Sequence, residues 1–97
     1  MDYSSLSTDI RVTTSVVQKT IPSISGKKNI LFIPKINTTI RGSFEIPYSV
    51  FKNGDDCYIP VVGSTTGYFC VTYVSDTSIK VSANNSQFNY VDIYVNS

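Results

Sequence analysis

The sequence contains no histidine and no tryptophan, and only two of its 97 residues are cysteines. Without histidine, neither a Ser-His-Asp nor a Cys-His catalytic site can be built, and the commonest transition-metal ligand is missing. The seven carboxylates are scattered, so nothing indicates the paired acids of a glycosidase. No glycine-rich phosphate loop is present either. We therefore expect a protein that is not an enzyme, with no catalytic residues, no metal site and no cofactor.

Charge is also scarce. Charged residues make up 15% of the chain, against roughly 25% in an average globular protein, and the formal net charge is +1. The one adjacent basic pair, Lys27 and Lys28, follows a glycine and is typical of a solvated turn. Nucleic-acid-binding domains usually carry a basic stripe, so we expect no nucleic-acid partner.

Long apolar runs are lacking too. The longest, Ile30 to Ile33, is far too short to cross a bilayer. The first nine residues have neither the basic nor the apolar region of a secretory signal peptide. We therefore expect a product that is made in a cytosol and does not insert into membranes.

Serine, threonine and asparagine supply most of the polarity, 31 of the 97 residues. Apolar residues alternate with period two, and no helical period extends over a useful length. The alternation indicates about seven strands, near residues 10–17, 30–33, 43–51, 57–62, 68–74, 78–83 and 88–95. The sequence thus predicts an all-β fold, a small antiparallel sandwich or barrel of about seven to eight short strands. Residues 1–6 are expected to be a flexible segment before a single domain at 7–97.

Asn53-Gly54 is the strongest turn signal, because this pair favours the type I′ turn of a two-residue hairpin. Such a turn would place Val50 opposite Cys57 and give the hairpin one continuous apolar face. It would also set Pro47 opposite Pro60. Because proline donates no ladder hydrogen bond, pairing outside these prolines should be interrupted or at a sheet edge.

Two further connections look like hairpins. Around residues 63–67, one register sets Val61 against Phe69, and an alternative register sets Cys57 against Cys70 and would permit a disulfide. We favour the first, with both thiols free and partly buried. A last hairpin, turning at residues 84–86, would present residues 79, 81 and 83 against residues 91, 93 and 95.

Aromatic residues supply the candidate binding surface. In the last strand, Tyr90, Asp92 and Tyr94 share one face with Phe88, opposite the apolar face. Tyrosine combines a flat apolar ring with a polar tip and is enriched at interfaces. This face either packs inside the protein or against another subunit, which we favour, or forms a shallow site. In that site tyrosine would stack on a sugar and Asp92 would accept hydrogen bonds from its hydroxyls. The polar loop residues Ser64, Thr65 and Thr66 are further candidates.

The C-terminal part of the chain has a residue pattern similar to that of a known family. From Gly63-Ser64-Thr65-Thr66-Gly67-Tyr68 to the final Val91-Asp92-Ile93-Tyr94-Val95-Asn96-Ser97, it resembles the closing strands of phage tail-fibre and receptor-binding tip domains. The shared features are alternating strands rich in Ser, Thr and Asn and an end within a strand. The resemblance implies a short β-sandwich or barrel, usually trimeric, or a small baseplate protein. It assigns no binding residue.

These observations predict a non-enzymatic virion protein of a phage tail or baseplate that binds another virion protein or a host surface ligand through a rigid surface. A homotrimer, the favoured assembly, would cover its edge strands and its second aromatic face. The main alternative is a small monomeric inhibitor of a host protein, acting through the 63–67 loop or an edge strand. A single-stranded nucleic-acid binder of the oligonucleotide-barrel type is disfavoured by the weak basic charge.

Overall fold

The computed structural model describes residues 2–63 and 66–97. In this part of the chain the backbone forms nine strands and a single turn of helix. In chain order these are β1 (Ser4–Arg11), β2 (Val17–Thr20), β3 (Asn29–Ile36), β4 (Thr39–Ile40), β5 (Phe44–Pro47), α1 (Tyr48–Phe51), β6 (Cys57–Val62), β7 (Thr66–Ser75), β8 (Ser78–Ala83) and β9 (Tyr90–Asn96). No helix in the described residues has the length and apolarity that a membrane span requires.

The strands form two antiparallel sheets packed face to face, which confirms the predicted all-β sandwich. Sheet A has the order β1-β9-β3-β4, and β5 also pairs with β3; sheet B has the order β2-β8-β7-β6. The described chain has nine strands where seven to eight were expected, since β2 and β4 are too short to show a period of their own.

The inner faces of the two sheets supply the core, as period-two alternation requires. Phe32 from sheet A and Phe69 from sheet B are fully buried at its centre. Phe88, in the connection before β9, is equally buried, with its ring centroid 6.2 Å from that of Phe69. A predicted position is therefore wrong: Phe88 belongs to the core and does not share the outer face of β9.

The N-terminal strand differs from the prediction at both ends. Residues 4–6, expected to be a flexible segment, belong to β1, and Leu6 packs against the core. The single strand expected at residues 10–17 is divided, because β1 ends at Arg11 in sheet A and β2 begins at Val17 in sheet B. Two backbone hydrogen bonds hold the segment that crosses from sheet A to sheet B. The Val12 N–H donates to the Asn89 carbonyl, and the Ala83 N–H donates to the Thr13 carbonyl.

The predicted Asn53-Gly54 hairpin is wrong. β5 pairs with β3 in sheet A and β6 pairs with β7 in sheet B, so the segment between them crosses the sandwich. Pro47 precedes the helical turn α1, whose Phe51 is buried in the core. Gly54 leaves this turn with a φ of +83°, whereas Asn53 keeps a negative φ. The glycine thus ends a helical turn, and no type I′ turn forms.

A shared carboxylate anchors α1. The hydroxyls of Tyr48 and Tyr73 both donate to Asp76 Oδ1, over 2.6 and 2.8 Å. The bond to Asp76 raises the pKa of Tyr48 to about 12, and the two hydroxyls lower the pKa of the Asp76 carboxyl. The helical turn is therefore tied to the β7–β8 connection at the end of the sandwich where β3 begins.

The contrast between Asn53 and Gly54 gives a direct test of this crossing. Gly54→Ala should lower the free energy of unfolding by about 1–2 kcal/mol, since an L-residue in the left-handed region costs roughly that amount. Asn53→Ala should change it by less than about 0.5 kcal/mol. Urea unfolding of both variants measures the two effects. A type I′ turn needs positive φ at both positions, so equal losses would contradict the helical turn.

The two later connections also differ from expectation. β8 and β9 lie in different sheets, so the segment at 84–86 is no hairpin, and their apolar faces meet across the core. β6 and β7 do pair, but in a third register that sets Ile59 opposite Phe69 and Tyr58 opposite Cys70. Cys57 faces the core and Cys70 the outer surface, so both thiols are free. Pro60 lies on the edge strand β6, as expected for a strand proline.

Candidate functional site

The outer face of sheet A carries the polar residues of the last strand. In the register of β9 with β3, Tyr90 lies opposite Lys35, Asp92 opposite Ile33 and Tyr94 opposite Leu31. Residues directly opposite each other in an antiparallel pair share a face. The sequence prediction that Tyr90, Asp92 and Tyr94 share a face away from the core therefore agrees with the strand geometry.

Asp92 and Lys35 form a buried ion pair on this face. Each side chain is only 10% exposed, and Lys35 Nζ lies 3.0 Å from Asp92 Oδ1. Lys35 also donates to the carboxylate of Asp9 on β1, the strand on the far side of β9. The hydrogen bond that Lys35 donates to Asp9, helped by the bond to Asp92 and the two negative charges, raises the pKa of Lys35 although burial opposes this. The lysine is therefore a fixed cation between two carboxylates.

Asp9 reaches this cluster because β1 is bulged. Its pairing with β9 shifts register between Ser5 and Ser7 and again between Ser7 and Ile10. Asp9 lies in the second irregularity with a φ of +55°, a conformation that aspartate tolerates better than most residues. Its backbone N–H donates to Asp92 Oδ1 over 2.7 Å. The bulge thereby aims the Asp9 carboxylate outward, as bulges at sheet edges commonly re-aim a side chain.

Tyr90 is fixed beside this carboxylate. Arg11 Nη1 donates to the Tyr90 hydroxyl over 3.3 Å, and the guanidinium carbon lies 5.4 Å from the centre of the ring. A cation at this distance from an aromatic face is attracted by about 0.5–1 kcal/mol at an exposed position. The ring is therefore held by a neighbour on the edge strand.

The turn between β3 and β4 is bonded to the residue that precedes Tyr90. Asn37 N donates to Asn89 Oδ1 over 2.8 Å, and Asn89 Nδ2 donates back to Asn37 Oδ1 over 3.0 Å. Asn37 has a φ of +56°, which asparagine also tolerates. One hydrogen bond from the backbone and one between the side chains thus hold this turn against the segment that precedes Tyr90.

Together these elements enclose a shallow depression of about 420 Å³ at one end of sheet A, lined by Asp9, Asn37, Thr38 and Tyr90. We call it the rim site. The Asp9 side chain is 67% exposed, so its carboxylate remains open to solvent although it also bonds to Lys35. Clefts that bind small ligands have volumes of roughly 300–1,000 Å³, so the rim site suits a small ligand.

The predicted site residues separate in the structure. Tyr90 lines the rim site, but Asp92 lies beneath it and already accepts from Lys35 and the Asp9 backbone. Tyr94 is four residues further along β9, roughly 13 Å from Tyr90, and does not line the depression. Thr66 is exposed at the start of β7 in the other sheet, while Ser64 and Thr65 lie outside the described residues.

The outer face of sheet B presents a second surface, which we call the tyrosine face. Tyr58 and Tyr68 are 56% and 40% exposed, and their rings meet edge to face with centroids 5.1 Å apart. Pro60 and Val62 extend the apolar surface along β6. Exposed apolar groups clustered in this way are more often found at contacts with other proteins than scattered single ones.

Potential metal ligands in the described residues and comparison with known proteins give no further indication of function. In residues 2–63 and 66–97, no group of three or more His, Cys, Asp or Glu side chains could hold a metal ion. Comparison with protein-family models, with curated proteins and with solved structures finds no match to this chain. The geometry of the rim site and of the tyrosine face is therefore what indicates a function.

Proposed function

We propose that this protein is a non-enzymatic virion component, of a phage tail or baseplate, that binds a host surface ligand at the rim site. The observation that carries the proposal is the preorganisation of Asp9. A bulge, a left-handed backbone conformation and bonds through both its N–H and its carboxylate fix an open carboxylate beside the Tyr90 ring.

Preorganisation matters because ordering a mobile side chain on binding costs roughly 0.5–1.5 kcal/mol. In the rim site the ion pairs, the Arg11 contact and the paired asparagines already hold the lining residues. The left-handed backbone conformations of Asp9 and Asn37 cost stability in a small domain, and such conformations concentrate at functional sites. This supports recognition by a rigid surface over a purely structural role for this end of the sandwich.

We also propose that the tyrosine face contacts a further copy of the chain, in a homotrimer, or another virion protein. Two of the edge strands are protected against strand addition, because β1 is bulged twice and β6 carries Pro60. A partner at the β6 side of sheet B would therefore meet the outer face of the sheet instead of its edge. Tyr58 and Tyr68 offer the exposed aromatic surface on which such contacts concentrate.

Retention on bacterial cells tests the proposal. The labelled protein should remain bound to intact cells of a susceptible strain, found by screening a strain panel, after washing. Tyr90→Ala should weaken the binding at least tenfold, since truncating a central interface tyrosine typically costs about 2 kcal/mol or more. Val50→Ser, an exposed change on α1 at the opposite end of β3, should bind like the unaltered protein. Unfolding curves of both variants verify that they are folded.

No retention on any strain would contradict the proposal. Equal retention of Tyr90→Ala and Val50→Ser would instead place the binding surface elsewhere on the sandwich.

A further inference from the structure

We propose that the rim site binds a neutral saccharide through neighbouring hydroxyl groups. The inference rests on the proposed function and names the chemical class of its ligand. Three properties of the site support it: the balance of hydrogen-bond donors and acceptors, the balance of charge, and the shape of the depression.

The lining residues offer both kinds of hydrogen-bonding group. The Asp9 carboxylate only accepts, and its 67% exposure leaves lone pairs available beyond the bond from Lys35. The side chains of Asn37, Thr38 and Tyr90 carry an amide or a hydroxyl that can donate into the same depression. A hydroxyl group is both donor and acceptor. Two adjacent sugar hydroxyls can therefore donate to the carboxylate while accepting from the amide or hydroxyl groups.

The charges of the site cancel. Lys35 and Arg11 are cationic, and Asp9 and Asp92 are anionic. Three of these four groups are engaged in a single cluster, in which both carboxylates contact the same lysine. The four charges sum to zero, so a multiply charged ligand such as a phosphate chain would find no net opposite charge there. A neutral polar ligand meets no such penalty.

The shape also suits one or two sugar units. The depression of about 420 Å³ is shallow and open, and Tyr90 forms part of its wall. The C–H groups of a pyranose ring are apolar and can pack on an aromatic side chain while the hydroxyls at its edge bond to polar neighbours. Asp9 and Tyr90 lie on adjacent strands, so both can contact the same ligand.

The direct test is a titration followed by NMR, with the methyl glycosides of glucose, galactose, mannose and N-acetylglucosamine as separate probes. We expect saturable shifts of the Asp9, Asn37, Thr38 and Tyr90 amide resonances with at least one glycoside. Asp9→Asn keeps a side chain that tolerates the left-handed backbone but removes the charge, and should weaken this binding at least tenfold. Asp55→Asn, at an exposed acid outside the site, should leave the binding unchanged.

Two results would overturn the inference. One is the absence of shifts with all four glycosides at about 10 mM, where a site with a Kd of 1 mM would be roughly nine-tenths filled. The other is saturable shifts confined to residues away from the depression.

Treating the cells separates this inference from the proposed function. Periodate cleaves vicinal diols and should abolish retention on cells, whereas protease treatment should leave it intact. Retention that survives periodate but is lost after protease would refute the saccharide and leave the proposed binding function standing. If untreated cells retain nothing, the proposed function fails, and the glycoside titration still decides whether the rim site binds sugars.

Discussion

Replacing Phe88 by alanine should lower the free energy of unfolding by about 3–5 kcal/mol, the loss typical of a phenylalanine removed from a core. Phe88 is fully buried, and its ring packs beside that of Phe69. Gly63 and Gly67 also lie against this ring, so closely that a Cβ at Gly67 would clash with it. The surrounding backbone is tied to the strands and can collapse only partly into the cavity, which is why the effect should be large.

Urea unfolding followed by circular dichroism measures this loss. Tyr68→Ala provides the control, because Tyr68 is an aromatic residue on the outer face and should cost about 1 kcal/mol or less. If Phe88→Ala does not fold, Phe88→Leu keeps most of the volume and should still be measurably destabilised. Equal losses for Phe88→Ala and Tyr68→Ala would mean that Phe88 lies on the outer face, as the alternation of the last strand suggested.

The second large effect is expected at Lys35. Lys35→Met should destabilise the chain by about 3–5 kcal/mol, because it leaves the buried Asp92 carboxylate without its cation. Adding Asp92→Asn should restore much of the loss, since an amide oxygen can still accept from Asp9 N and no buried charge remains. Lys80→Met, at an exposed lysine of sheet B, should change stability by less than about 0.5 kcal/mol.

The ion pair of Lys35 and Asp92 also makes the stability of the fold depend on pH. The pKa of Lys35 is raised by its carboxylate neighbours, so its contribution is complete below the ordinary lysine value of 10.5 and is lost as pH rises above it. Tyr48, with its pKa raised to about 12, loses its bond to Asp76 in the same direction. The urea concentration at the unfolding midpoint should therefore decrease as the pH is raised from 9 to 11.5. The decrease should be smaller in the double variant Lys35→Met, Asp92→Asn. A midpoint that is independent of pH over this range would contradict the ion pair.

Period-two alternation predicted most of the residues that face the core, with Phe88 as an exception, but not which sheet each strand joins. Both sheets of a sandwich have an apolar inner face. Two alternating segments therefore show the same pattern whether they pair as a hairpin or face each other across the core. This explains the error at Asn53-Gly54 and the error at residues 84–86. In the first case the deciding factor is Phe51, which a single helical turn buries between the sheets.

The rim site was only partly predictable for a different reason. Tyr90 and Asp92 follow from the alternation of the last strand, and both lie on the expected face. Asp9 was missed because a bulge and a left-handed residue leave no periodic signal in the sequence. Lys35 is the one available hint, since a lysine inside an otherwise apolar central strand needs a carboxylate partner. The sequence could not show which of the seven acids meets it.

The central claim is that the rim site is rigid before any ligand binds, and exchange of the Asp9 amide hydrogen with solvent tests it most directly. Because this amide donates to the buried Asp92 carboxylate, its exchange in the unliganded protein should be slowed at least about a hundredfold relative to an unfolded chain. Lys35→Met should remove much of that protection while leaving the central amides of sheet B slow. An Asp9 amide that exchanges at the unfolded rate in the unaltered protein would show that the bulge is not fixed and would contradict the account.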